Sequence, residues 1–159
     1  MRAKDYLEKI QKLDAKINTD IEALMQYEAL ATKRTAVIGG ERVQTSASKG
    51  PVENNVVSMV DLREKINAEM DALIEYKEEA RKLIQSACDK DCITLLFKRY
   101  IGVLNRETEE VEYLTWERIA VDMNFSYQWV SDGLHKRALS QLQKKLDEME
   151  KRIKESCLK

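Results

Sequence analysis

Near the amino end, apolar residues recur every three or four positions: Tyr6, Ile10, Leu13, Ile17, Ile21, Leu24 and Tyr27, with Lys, Glu, Asp and Gln between them. That spacing predicts a helix with one narrow apolar stripe and a solvated opposite face. The stripe fades at Val37 and Ile38, and Gly39-Gly40 stops it. Residues 41–56, ERVQTSASKGPVENNV, have no period and hold the only proline, Pro51, so a loop is expected over about 39–57. A second stripe then runs through Met59, Leu62, Ile66, Met70, Leu73, Tyr76, Ala80, Leu83 and Ala87, with Ser58 or Asp61 as its expected cap. Each helix would be roughly 30 residues and roughly 45 Å long. A strip this narrow does not stabilise a lone helix. The economical arrangement is a long antiparallel, coiled-coil-like hairpin over 1–88, the stripes facing each other within one chain or between two.

A new element begins at DKDCITLLFKRYI. Asp89 or Asp91 can cap a helix, Ile93, Leu96, Phe97 and Ile101 give it a wide apolar face, Lys98, Arg99 and Tyr100 interrupt that face with a basic patch, and Gly102 ends it. Residues 103–114 carry Glu107, Glu109, Glu110 and Glu112 and read as an acidic linker.

The stretch TWERIAVDMNFSYQWV carries the most information. Thr115 caps a helix, and Glu117 favours its first turn through the helix dipole. Ile119, Ala120 and Met123 form the inner face, and the small Ala120 permits a second helix to cross closely. Asn124 suits a left-handed turn, Phe125 plugs that turn, Ser126 caps the next helix and Val130 points back into the core. A small residue, a turn former and a β-branched residue at these offsets form the helix-turn-helix pattern, which leaves one face of the second helix uncovered. Leu134, Ala138, Leu142, Leu146, Met149 and Ile153 continue as one stripe, predicting a single helix over about 127–155. Gly133 stands where the pattern expects an apolar residue, and a local bulge there would re-aim the side chains before it.

LLFKRYI, LTWERIAVDMNFSYQWV and LHKRALSQL together resemble region 4 of the sigma-70 factors over about residues 91–146. More narrowly, the layout of the whole chain resembles the phage and prophage ArpU-type transcriptional regulators. The resemblance implies an all-α protein: the hairpin over 1–88 for assembly, then a sigma-region-4-like helix-turn-helix domain over 89–159 with a long carboxyl-terminal helix. It also implies sequence-specific binding of double-stranded DNA and regulation of phage genes, with RNA polymerase as a further expected partner. Carried over by position, the second helix starts at Ser126 and exposes Tyr127, Gln128, Ser131 and Asp132. Gln128 suits adenine and Asp132 cytosine, while Lys136, Arg137 and, on the preceding helix, Arg118 suit phosphates.

Charge qualifies this picture. The formal net charge is −1, so any pull on DNA must be local, and residues 115–159 are only roughly two units positive. Weak solitary binding, raised by dimerisation or by polymerase, is the expectation. Trp116 reads as core. Trp129 reads as core or as a ring against the DNA backbone, Tyr127 as an exposed contact, His135 as a surface or phosphate-facing residue. The tail KKLDEMEKRIKES is expected to pack on the hairpin or on a second subunit.

Two other functions remain open on the residues. A phage small terminase subunit also joins a helix-turn-helix to a coiled hairpin, with the opposite order of parts. A helical protein-interaction module would use the Tyr127, Gln128 and Lys136 surface on a protein. The residues do not suggest an enzyme: there is no Gly-rich phosphate loop, buried carboxylate pair or metal cluster, and no cofactor is implied. Cys88, Cys92 and Cys157 leave one thiol over in any pairing, which suits a reducing compartment. With His135 the only histidine, a zinc site would be short of ligands. No apolar run approaches ~18 residues and MRAKDYLEKI has no signal-peptide core, so a cytoplasmic location is expected.

Overall fold

The computed structural model describes residues 1–37 and 51–156, the side chains of 34–37 and 51–56 excepted. The described chain is all-α apart from one small β-hairpin. Its elements are α1 (Ala3–Val37), α2 (Pro51–Ala87), α3 (Lys90–Leu96), β1 (Val103–Leu104), β2 (Val111–Glu112), α4 (Trp116–Met123) and α5 (His135–Ser156). No helix among the described residues is long and apolar enough to cross a membrane.

The expected loop over 39–57 is corrected at its end. Pro51 opens α2, and residues 51–57 are helical. A proline lacks the N–H that a first helical turn leaves unpaired anyway, and its fixed φ suits that position. Ser58 and Asp61 therefore lie inside α2 and do not cap it. The rest of that loop, with Gly39-Gly40, lies outside the described residues.

Packing divides the chain into two compact units, and α1 and α2 each contribute to both. The unit Leu13–Leu73 pairs the two helices in antiparallel order through Lys16–Glu69, Lys65–Asp20 and Arg63–Glu28. Ile17, Ile66 and Leu73 are its buried apolar side chains, whereas Tyr27 and Met70 of the expected stripes are exposed. The other unit joins Met1–Lys12 to Ile74 and everything after it. There Leu7, Ile10, Ala80 and Ile84 are buried, and the Tyr76 hydroxyl donates to the Tyr6 carbonyl at 3.2 Å. The packing thus groups residues 1–12 and 74–88 with the carboxyl-terminal part, where the sequence suggested a division at 88/89. Bonds from these segments to later elements agree with that grouping: the Ala3 N–H donates to Gln143 Oε1 at 2.7 Å, and Gln11 Nε2 donates to the Arg99 carbonyl at 2.7 Å.

Asp89 caps α3 by accepting from the Cys92 N–H at 3.1 Å. The helix continues past Leu96 in a widened π turn, Phe97–Ile101, closed by Gly102 with φ 95°. Tyr100 is buried here and is core, not part of an exposed basic patch. Residues 103–114 are likewise not a plain linker. Val103 pairs with Glu112 and Leu104 with Val111, antiparallel. The exit of this hairpin is tied to the preceding turn: the Leu114 N–H donates to the Lys98 carbonyl at 3.1 Å, and Arg99 Nη1 donates to the Leu114 carbonyl at 3.0 Å.

Candidate nucleic-acid interface

Thr115 caps α4 by accepting from the Arg118 N–H at 3.4 Å. Asn124 ends it in the left-handed region at φ 55°, ψ 42°. The Asn124 N–H donates to the Val121 carbonyl at 3.1 Å, and the Phe125 N–H to the Ala120 carbonyl at 2.9 Å. This pair of bonds satisfies the last carbonyls of a helix that closes through a left-handed residue. Ser126 Oγ then accepts from the Trp129 N–H at 3.3 Å, and the next helix begins at Tyr127. Val130 is 0% exposed, and with Leu134 it packs inward beside the buried Ile119 and Ala120 of α4. Phe125, expected to plug the turn, is instead exposed.

The second helix is continuous into α5 but not uniform. Trp129–Leu134 forms a π turn, in which the His135 N–H reaches the Val130 carbonyl five residues back. The buried stripe explains it. Val130, Leu134, Ala138, Leu142 and Leu146 are spaced strictly by four. In a regular helix that spacing drifts by roughly 40° per step, because a turn takes 3.6 residues. A wider turn takes up the drift and keeps the stripe facing the core. Further along, Met149 and Ile153 fall off the stripe and are exposed. The tail meets the amino terminus where the Met1 ammonium donates to Glu150 at 2.8 Å, and just before it Gln143 Oε1 accepts from the Ala3 N–H at 2.7 Å.

Gly133 sits inside the π turn. A Cβ on it would lie 2.5 Å and 2.6 Å from Trp129 Cε3 and Cζ3. The indole ring thus occupies the space a side chain at 133 would need, and it remains 47% exposed.

Of the expected contact residues, Ser126, Tyr127, Gln128, Asp132 and Lys136 are exposed along the start of this helix, and Ser131 is half-buried. Arg118 is exposed on α4. The three cations each face a carboxylate. Lys136 Nζ is 2.8 Å from Asp132. Arg118 Nε is 3.5 Å from Asp122, whose other oxygen accepts from Lys98 at 2.8 Å. That bond from Lys98 is the main reason the Asp122 carboxyl lies below its ordinary range. Arg137 is turned toward Asp89 at 2.6 Å. The bonds Asp89 accepts from Gln141 and from Cys92, with Arg137 beside it, hold its carboxyl at about 2. Arg137 thus braces the start of α3, and the local positive field is partly neutralised.

His135 is corrected from a surface residue to a half-buried one. Its Nε2 lies 2.9 Å from the Tyr100 hydroxyl, and its ring centroid is 4.7 Å from that of Trp116. Burial lowers its pKa to about 4. Trp116 is half-buried under the Arg99 guanidinium, 4.7 Å from the ring centre. Burial pushes the Cys88 thiol up to about 11 and Cys92 up to about 12, so both are unreactive. Cys157 lies outside the described residues.

No family model, curated protein or solved structure matches the chain. The seat of Trp129 on Gly133 and the ties on Arg118 and Arg137 are what sequence reasoning missed. The glycine in place of an expected apolar residue is the one local signal for the first. Arg118 and Asp122 are four apart on α4, a spacing the sequence does carry, whereas the pair Arg137–Asp89 joins separate elements and leaves no periodic trace.

Proposed function

We propose that the chain is a sequence-specific DNA-binding regulator of phage or prophage transcription, working with RNA polymerase, and not an enzyme. The observation that carries this reading is the turn at Asn124. Its left-handed conformation, closed by the Ala120 and Val121 carbonyls, sets the short α4 against the start of the second helix, on which Tyr127, Gln128 and Asp132 are exposed. A second helix that is buried on one side and polar on the other fits the major groove. The paired cations agree with weak binding by a single chain.

Assembly of two chains through the Leu13–Leu73 unit belongs to the same proposal. Among the described residues of this unit, Ile17, Ile66 and Leu73 are buried while Met25, Leu30, Val57 and Val60 are exposed, and apolar side chains left in water favour a second chain as their cover. The expected species by light scattering is a dimer, and a ring of many copies would favour a packaging role.

The test is binding to duplexes from the DNA flanking its own gene, at low and moderate salt, with a Gln128→Ala/Lys136→Ala double variant. The expected outcome is site-selective binding that weakens steeply with salt, by counterion release, and is lost in the variant. Absence of selective binding both alone and with polymerase would turn the reading toward a protein-interaction module.

A further inference from the structure

We propose that Trp129, seated on Gly133, reads thymine methyl groups in the major groove beside an adenine read by Gln128. The inference rests on the DNA-binding reading above. Three observations lead to it.

The ring is apolar, nearly half exposed, and lies in the first turn of the second helix. In a helix-turn-helix, that turn meets the base edges.

The ring is also held in place. Glycine is the least favourable residue of a helix interior after proline, yet here a Cβ would stand 2.5 Å from the indole. The position accepts a glycine because the ring lies across it. An indole packed against its own helix has only two rotatable bonds and loses little freedom on binding.

The neighbouring chemistry is largely neutral. Asp132 and Lys136 are paired with each other at 2.8 Å, leaving the Gln128 amide and the Tyr127 phenol as exposed polar groups of this first turn. A side-chain amide matches the N6 donor and N7 acceptor of adenine, and only thymine offers a methyl group in the major groove. An amide next to an apolar plate is therefore complementary to A·T steps.

The experiment selects duplexes from a randomised pool with the full chain. Each thymine of the selected site is then replaced by deoxyuridine, which removes only the methyl group. The wild type should lose about fourfold in affinity for each methyl read, at one or two adjacent positions. Trp129→Ala should bind the thymine and deoxyuridine duplexes alike. Circular dichroism confirms that the variant is folded, and Trp129→Gln, which fills the site with a polar side chain, serves in its place if it is not. Selective binding without any methyl dependence overturns this inference alone, as does an equal methyl dependence in the variant; either places the ring on the sugar–phosphate backbone or in packing. Absence of any selected site, both with the chain alone and with RNA polymerase added, overturns the DNA-binding reading, and this inference with it.

Discussion

Gly133→Ala separates a seat from an ordinary helical glycine. Inside a helix, alanine in place of glycine stabilises by about 1 kcal/mol, through backbone entropy and propensity. At Gly133 the new methyl would stand 2.5 Å and 2.6 Å from two carbons of the Trp129 ring. Overpacking of that kind costs about 1–3 kcal/mol. Because the ring is 47% exposed, it can swing outward, and the cost falls to the lower end of that range. The two effects nearly cancel, so Gly133→Ala alone should be neutral to about 1 kcal/mol destabilising. In a Trp129→Ala background the obstacle is gone, and the same change should stabilise by about 1 kcal/mol. Urea unfolding of the four proteins, followed by far-ultraviolet circular dichroism, gives the coupling energy directly, at about 1–2 kcal/mol. Equal stabilisation in both backgrounds would refute the seat and leave Gly133 as a helix defect.

Further outcomes follow from the same unit. Val130→Asp places an unpaired charge at a fully buried position and should cost about 3–5 kcal/mol; a wild-type melting curve would show that the second helix is phased wrongly. Asn124→Gly should change stability by less than about 0.5 kcal/mol, whereas Asn124→Val should cost about 1–2 kcal/mol at a left-handed φ; equal effects in thermal melts would remove the turn from the account. The folded chain holds His135 neutral down to about 4, against an ordinary 6.5. Its contribution is therefore complete above pH 6.5 and is withdrawn as pH falls toward 4. For a half-buried ring the loss should be about 1–2 kcal/mol, and a His135→Gln chain titrated in parallel should lack that limb of the stability curve.

What the sequence discloses and what it hides divide along a physical line. Asp89, Thr115, Asn124 and Ser126 are legible because each acts on backbone within a few residues of itself. The stripe from Val130 to Leu146 is legible because periodicity records burial. The β-hairpin is not, since strands of two residues carry no alternation and are held by Lys98 and Arg99 from outside. Pro51 reads as a breaker because the residue that stops one helix equally well starts another. His135 and Tyr100 lie 35 residues apart, and nothing local marks such a pair. In the candidate site the reading face is legible as the complement of the buried one. The ties of Arg137 to Asp89 and of Lys98 to Asp122 depend on how separate helices meet.

The sharing of one compact unit between residues 1–12 and 74 onward has a consequence for synthesis. The Ala3 N–H bonds to Gln143, 140 residues later, and Leu7 and Ile10 are buried in a unit that also holds α5, which is made much later than they are. On the ribosome, the amino-terminal segment meets α2 first, through Tyr6 and Tyr76, and its contact with Gln143 forms only when α5 leaves the exit tunnel. The helix-turn-helix that depends on α5 completes its packing only then, so an arrested or truncated nascent chain would expose an unfinished head and no competent reading face.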